Sequence, residues 1–259
     1  MKFIEQVTKT MPQKEEVAVF WLGQAGFLFK TASGQQIAID PYFSECGQRL
    51  IPDEGLGFKR LMPPPCEASE LDLDLLIISH EHNDHFDVDA VQDLIKEKTQ
   101  VYTNCLVATE LEKMGFQKEQ IHVMKKGVRE ELTDFAILPV DCDHGELAPE
   151  ALGVILDFGF SKIYYAGDTA LTLERLAVPM GIQPELAILP INGAFGNLDG
   201  IEAAKYAGLL KCKTCIPCHF WTFPLHHGDP QLIIDHIGAE APDCELVMLC
   251  QGEYYLLKK

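Results

Sequence analysis

Long apolar runs are missing from this chain: nowhere along its 259 residues does an uncharged hydrophobic stretch reach the length of a membrane helix. The start, Met1-Lys2-Phe3-Ile4-Glu5-Gln6, breaks its apolar residues with charge at once, which speaks against a secretory signal and makes the cytoplasm the expected location. Positive charge is scarce. The chain has 21 Lys and Arg against 39 Asp and Glu, a formal net charge of -18, and its longest basic cluster is Lys125-Lys126 with Arg129. Nucleic-acid grooves displace phosphate counterions with clustered Lys and Arg, so no nucleic-acid partner is expected. Low-complexity linkers and short-period repeats are also absent, and one domain over residues 1–259 is the expectation. Nine cysteines are an odd number without an export signal, so most are expected as small buried apolar residues and not as a disulfide framework.

What the chain does have is ordered punctuation. Val17–Leu22, Phe27–Phe29 and Ile37–Ile39 read as strands separated by glycines 23, 26 and 34, a β-meander closed by Asp40-Pro41. Residues 44–65, with Pro63-Pro64-Pro65, read as a long surface loop that could lie over a site. Leu75-Leu76-Ile77-Ile78 is a continuous apolar run, as in a strand covered on both faces. A helix is predicted over Val88–Lys98 with Asp87 as N-cap, then a strand at Val101–Thr103 and a helix over 105–114. Further strands are predicted at 135–140, 154–158, 162–166, 186–189, 214–217 and 246–249, and helices at 171–177, 203–210 and 231–237. A meander followed by alternating strands and helices, in two successive groups, points to two β-layers covered by helices.

The densest chemical signal is His80-Glu81-His82-Asn83-Asp84-His85, directly after the strand at 75–78. Imidazoles and carboxylates crowded onto the loop leaving a strand's C-terminal end converge on one crevice, and they are the donors zinc accepts. Three more candidates follow strand ends: His144 in Asp141-Cys142-Asp143-His144-Gly145, Asp168 in Ala166-Gly167-Asp168-Thr169, and His219 in Ile216-Pro217-Cys218-His219. Each alone would pass for a turn or cap residue. Their shared position is the argument.

On these residues the sequence resembles the metallo-β-lactamase superfamily, whose H-x-H-x-D-H motif stands intact as His80, His82, Asp84 and His85, with His144, Asp168 and His219 following in family order. The resemblance implies an α/β fold, an αββα sandwich of two β-sheets flanked by helices. It implies two divalent metal ions, one held by His80, His82 and His144, the other by Asp84, His85 and His219, with Asp168 bridging. It further implies a hydrolase in which the metals activate water and Asp84 holds it and accepts its proton. Zn²⁺ is the first expectation and Mn²⁺ the alternative. Trp21–Phe27, Leu189–Gly193 and Ile216–Phe223 are similar to the ascorbate-6-phosphate lactonase-like branch, which suggests a small-molecule lactone or phosphoester as substrate. A nuclease of the tRNA-processing kind shares the ligands but needs a basic arm, and a non-catalytic metal-binding module is the third reading. The sequence leaves a homo-oligomer open.

Cys215-Ile216-Pro217-Cys218-His219 also fits the C-x-x-C-H signature of haem attachment, and Cys212 extends it toward a zinc knot. Both spacings fall across a predicted strand, whereas zinc knuckles use tight turns, so His219 is assigned to the metal set. His122 and His236 are expected to be structural; His226-His227 and Asn192 lie in loops where pocket lining and ordinary turns compete.

Overall fold

The computed structural model describes every residue, Met1–Lys259. Two compact units divide it: residues 1–124 with 249–259, and residues 125–248. Each is built on one seven-stranded mixed sheet. No helix is long and apolar enough to cross a membrane.

The first unit contains β1 (Glu16–Gly23), β2 (Gly26–Thr31), β3 (Gln36–Ile39), β4 (Leu75–Ile78), β5 (Gln100–Thr103), β6 (Ile121–Val123) and β14 (Tyr254–Lys258). Their order is β14-β1-β2-β3-β4-β5-β6. The meander pairs antiparallel, with Phe20 opposite Leu28 and Phe29 opposite Ile37; β3 to β6 then run parallel. Alternation decides which side chains meet the helices. Ala18, Phe20, Leu22, Leu28, Ala38, Leu76, Ile78 and Val101 share a core with helices α1 (Phe3–Lys9), α3 (Val91–Leu94) and α4 (Cys105–Lys113), through Phe3, Val7, Val91, Leu94, Val107 and Leu111. Asn104 caps α4 by accepting from the Val107 N–H at 2.9 Å. Lys30 reaches from β2 to the end of α1, donating to the Val7 carbonyl at 2.8 Å. The long loop carries a short helix, α2 (Cys46–Leu50), and is tied down by Arg60, which donates to the carbonyls of Met62 and Tyr42.

The second unit contains β7 (Glu130–Glu131), β8 (Ala136–Asp141), β9 (Leu152–Asp157), β10 (Lys162–Tyr165), β11 (Leu186–Pro190), β12 (Thr214–Cys218) and β13 (Glu245–Leu246), in the order β13-β12-β11-β10-β9-β8-β7. Again an antiparallel stretch, β7 to β10, gives way to a parallel one, β10 to β13. Its helices are α5 (Ala177–Ile182), α6 (Gly200–Leu210) and α7 (Pro230–Glu240). Asp199 caps α6 with a reciprocal Glu202 box, and Asp229 with Pro230 starts α7.

Several predicted elements are corrected. The helix expected over Val88–Lys98 is the single turn α3, because Ile95 turns to extended backbone and becomes buried. Asp87 does cap its approach, accepting from Ala90 N at 3.1 Å, but also takes the amides of Phe43 and Ser44. The helix expected over 171–177 is displaced: residues 171–176 are not helical, Thr172 is hydrogen-bonded to Asp143 as a brace, and helix begins only at Ala177. The strand expected at 246–249 ends at Leu246, while α1, β6, β7 and β14 went unpredicted.

Candidate metal centre

In the first unit the donors gather where β3 and β4 end. Ser79 follows β4, and its N–H and hydroxyl both donate to the buried Asp40 carboxylate, which follows β3. His80 Nδ1 lies 2.9 Å from Ser79 Oγ, and His85 Nδ1 lies 2.7 Å from Asp40 Oδ2. With the serine hydroxyl donating to Asp40, its oxygen accepts from His80 Nδ1–H, and Asp40 accepts from His85 Nδ1–H. Both rings therefore keep their Nε2 lone pairs for a metal, the arrangement by which outer carboxylates orient ligating histidines. Asp40 holds φ 44°, a left-handed conformation costly for a side chain with Cβ, and the bonds it accepts offset that strain.

His80 Nε2 and His82 Nδ1 face each other at 3.1 Å. Two nitrogens sharing one tetrahedral zinc would be about 3.3 Å apart. The donor pair thus has the spacing of a shared ion. Asp84 is partly exposed; its Oδ2 accepts from Gln24 Nε2 at 2.9 Å and lies 3.7 Å from His85 Nε2. Gln24, fully buried and at φ 50°, was not singled out as a site residue in the sequence, and neither was Asp40. Glu81 points elsewhere, to the Asn104 amide at 3.2 Å.

In the second unit β8, β10 and β12 run in one direction, so His144, Asp168 and His219 follow strands that end on the same edge. Asp168 addresses a different histidine with each oxygen: Oδ2 lies 3.5 Å from His144 Nε2 and Oδ1 lies 3.1 Å from His219 Nε2. The carboxylate thus faces both imidazoles. Gly167 makes it possible, since it holds φ +64° and an added Cβ would sit 2.9 Å from the Leu152 carbonyl. Asp143 aligns the neighbouring loop: it accepts from the Thr172 hydroxyl, its own N–H donates to Thr169 Oγ1 at 2.9 Å, and Arg175 lies 3.7 Å away. The Thr172 hydrogen bond, the Gly145 N–H and Arg175 together hold the Asp143 carboxyl below its usual range despite some burial.

His219 and Trp221 both sit at φ 61°, and Phe195 at φ 53°. His226 is buried and stacks on His219 with ring centres 4.9 Å apart, while Phe195, largely exposed, rests against His226 at 4.8 Å. His226 therefore belongs with His219, which its loop position did not decide. His122 bonds Gln100 at 2.8 Å and His236 bonds its own helix at Leu232, so these two are structural; His227 is exposed and supplies the backbone carbonyl that Trp221 N–H donates to. Asn192 points its Nδ2 to the Ala194 carbonyl at 3.3 Å. Cys215 and Cys218 lie within β12, so the turn that haem attachment or a zinc knuckle requires does not form.

The donor sets fit metal. Imidazoles and carboxylates gather in each unit, outer hydrogen bonds orient His80 and His85, and the Asp168 carboxylate is poised between His144 and His219. The family described as beta-lactamase superfamily domain matches residues 18–219 and sets the class. A UPF0173 metal-dependent hydrolase of Koribacter versatilis is 30% identical over 222 residues, covering 82% of this chain and 88% of its own. The chain therefore belongs to the UPF0173 metal-dependent hydrolases of the metallo-β-lactamase superfamily. Solved structures agree on the fold: a metallo hydrolase from Ignicoccus hospitalis has TM-score 0.71 at 21% identity, covering 94% of this chain and 99% of its own. An isothiocyanate hydrolase from Delia radicum gut bacteria has TM-score 0.75 at 19% identity, covering 93% and 100%.

Proposed function

We propose that the two donor groups serve one dinuclear centre that hydrolyses a small-molecule substrate, a lactone or a phosphoester. His80, His82 and His144 would hold one ion, Asp84, His85 and His219 the other, and Asp168 would bridge them. The observation that carries this reading is the Asp168 carboxylate, with one oxygen toward His144 and the other toward His219. One oxygen toward each of two imidazoles is a placement from which a carboxylate can reach two ions.

Divalent ions there would supply Lewis acidity and bring the pKa of a water near neutrality. The chain's own residues do the rest. Asp84 orients the attacking water and accepts its proton, and the Gln24 amide on Oδ2 holds its carboxylate in place. Asp40 keeps His85, and through Ser79 also His80, in the ligating tautomer. Three imidazoles on the first ion favour Zn²⁺, with Mn²⁺ the alternative at the more carboxylate-rich position. The lactone half of the reading rests on the lactonase-like stretches 21–27, 189–193 and 216–223. The resemblance to an isothiocyanate hydrolase adds a third electrophile to screen, since water adding to a cumulated carbon needs the same machinery. A net charge of -18 disfavours a nuclease, and a gel shift with RNA should show no binding.

The test is elemental analysis of protein purified without chelator, followed by turnover with lactone, phosphodiester and isothiocyanate panels. Two first-row metals per chain with turnover in at least one panel is the expected result. Asp84→Asn should keep most of the metal and lose about 10²–10⁴-fold in rate. Full metal loading with silence in all three panels, or undiminished turnover in Asp84→Asn, would overturn the proposal.

A further inference from the structure

Away from the donor clusters, Cys212 and Cys244 bring their sulfurs to 3.6 Å, and neither belongs to any group able to hold a metal. We infer that this pair is a dithiol site that exchanges with a small-molecule disulfide and closes a reversible bridge around residues 212–244, the segment that carries His219 and His226. The inference is independent of the hydrolase reading.

The topology delivers the two cysteines to one place. β12 and β13 pair in parallel with Thr214 opposite Glu245, and the Glu245 N–H donates to the Lys213 carbonyl at 2.8 Å. Cys212 and Cys244 are the residues just ahead of those two paired strands. The approach is tight behind them as well. A Cβ at Gly208 would lie 2.2 Å from the Glu240 carbonyl, so α6 and the end of α7 meet with no side chain between them. A turn closed by Cys244 N–H on the Ala241 carbonyl at 3.0 Å then carries Cys244 back over Cys212. A bond needs the sulfurs to close by only about 1.5 Å.

Access and reactivity divide between the partners. Cys212 is buried and Cys244 is partly exposed, at a cavity of about 290 Å³ that Lys211, Lys213, Glu240 and Pro242 also line. The sulfur–sulfur contact lowers the Cys244 thiol against burial and the Glu245 charge; the same contact and burial push Cys212 up. Cys244 is thus the attacking group and Cys212 the resolving one. In the first step the Cys244 thiolate attacks a disulfide RSSR, forming Cys244–S–SR and releasing RS⁻. In the second, Cys212 attacks the Cys244 sulfur of the mixed disulfide and the second RS⁻ leaves, with the Cys212 proton going to solvent. Two protein thiols are oxidised and one small disulfide is reduced to two thiols.

The experiment treats the reduced, metal-loaded full chain with oxidised glutathione, denatures it in N-ethylmaleimide and reads the intact mass. Nine maleimide adducts before oxidation should become seven afterwards, with a peptide linking Cys212 to Cys244 that dithiothreitol releases. Cys212→Ser should stop at a glutathione adduct on Cys244, and Cys244→Ser should form neither adduct nor bridge. Nine adducts after oxidation, a bridge to Cys215 instead, or glutathione trapped on Cys212 in the Cys244→Ser protein would overturn the inference.

Discussion

Both units run three antiparallel pairings into three parallel ones, and both place ligand-type side chains beyond strand C-termini on one edge. They differ in how those side chains are supplied. The first unit puts His80, His82, Asp84 and His85 on a single loop after β4, supported from β3 by Asp40. The second unit spreads His144, Asp168 and His219 over three loops, and Asp168 draws them together. A single loop is held by its own turn, with His85 and Phe86 both donating to the His82 carbonyl. Three separate loops need cross-bracing, which Asp143, Thr169 and Thr172 provide. On this contrast a dispersed set is expected to depend on its central member, and a concentrated one to tolerate loss at its edge.

Substitutions that probe this contrast fall in a definite order. Asp168→Ala should have the largest effect, taking metal from about two ions per chain to below one and lowering turnover at least about a thousandfold. His82→Ala, in the concentrated set, should release one ion and keep the other; equal losses in the two variants by elemental analysis would erase the distinction. Next, Asp40→Asn removes no ligand but unlocks the tautomers of His85 and His80, so metal affinity measured by competition with a chelator should fall about 10–100-fold. Gly167→Ala forces a side chain into a left-handed conformation and against Leu152; it should cost about 2 kcal/mol, seen as a Tm about 5 °C lower in the apo-protein.

The smallest effect concerns acid stability in the second unit. Burial works to raise the Asp157 carboxyl, but the Gly159 N–H and the Arg129 guanidinium, 2.9 Å away, outweigh it and hold it below the usual range. A depressed carboxylate stabilises the fold above its unfolded pKa, and that contribution is lost as pH falls through the folded value. Asp157→Asn should therefore lower stability at pH 6 slightly and flatten the acid limb of urea denaturation below about pH 4.

How legible these features were in the sequence depends on whether local spacing or tertiary partners set them. The concentrated set could be read directly, since four donors in six residues after an apolar run leave little else to infer, and the meander 17–39 and the run 75–78 became β1 to β4. The dispersed set came through its shared position after strand ends, and family order then supplied the grouping; no spacing linked His144 to Asp168. Asp40 and Gln24 escaped because an Asp before Pro and a Gln between glycines carry ordinary turn chemistry, and only Ser79, His85 and Asp84, 39 to 60 residues away in the chain, give them a role. The helix expected at 88–98 failed because periodicity does not record that Ile95 is needed in the core.

The pairing of β14 with β1 has a consequence for synthesis. Residues 254–258 complete a sheet whose other strands all lie before residue 124, and the entire second unit is made in between. Until they emerge, β1 presents an unpaired edge of mainly apolar strand, while the second unit already has its whole sequence and can fold. The first unit to be translated is the last able to close its sheet, and for that interval the nascent chain carries an open edge available to any neighbouring strand.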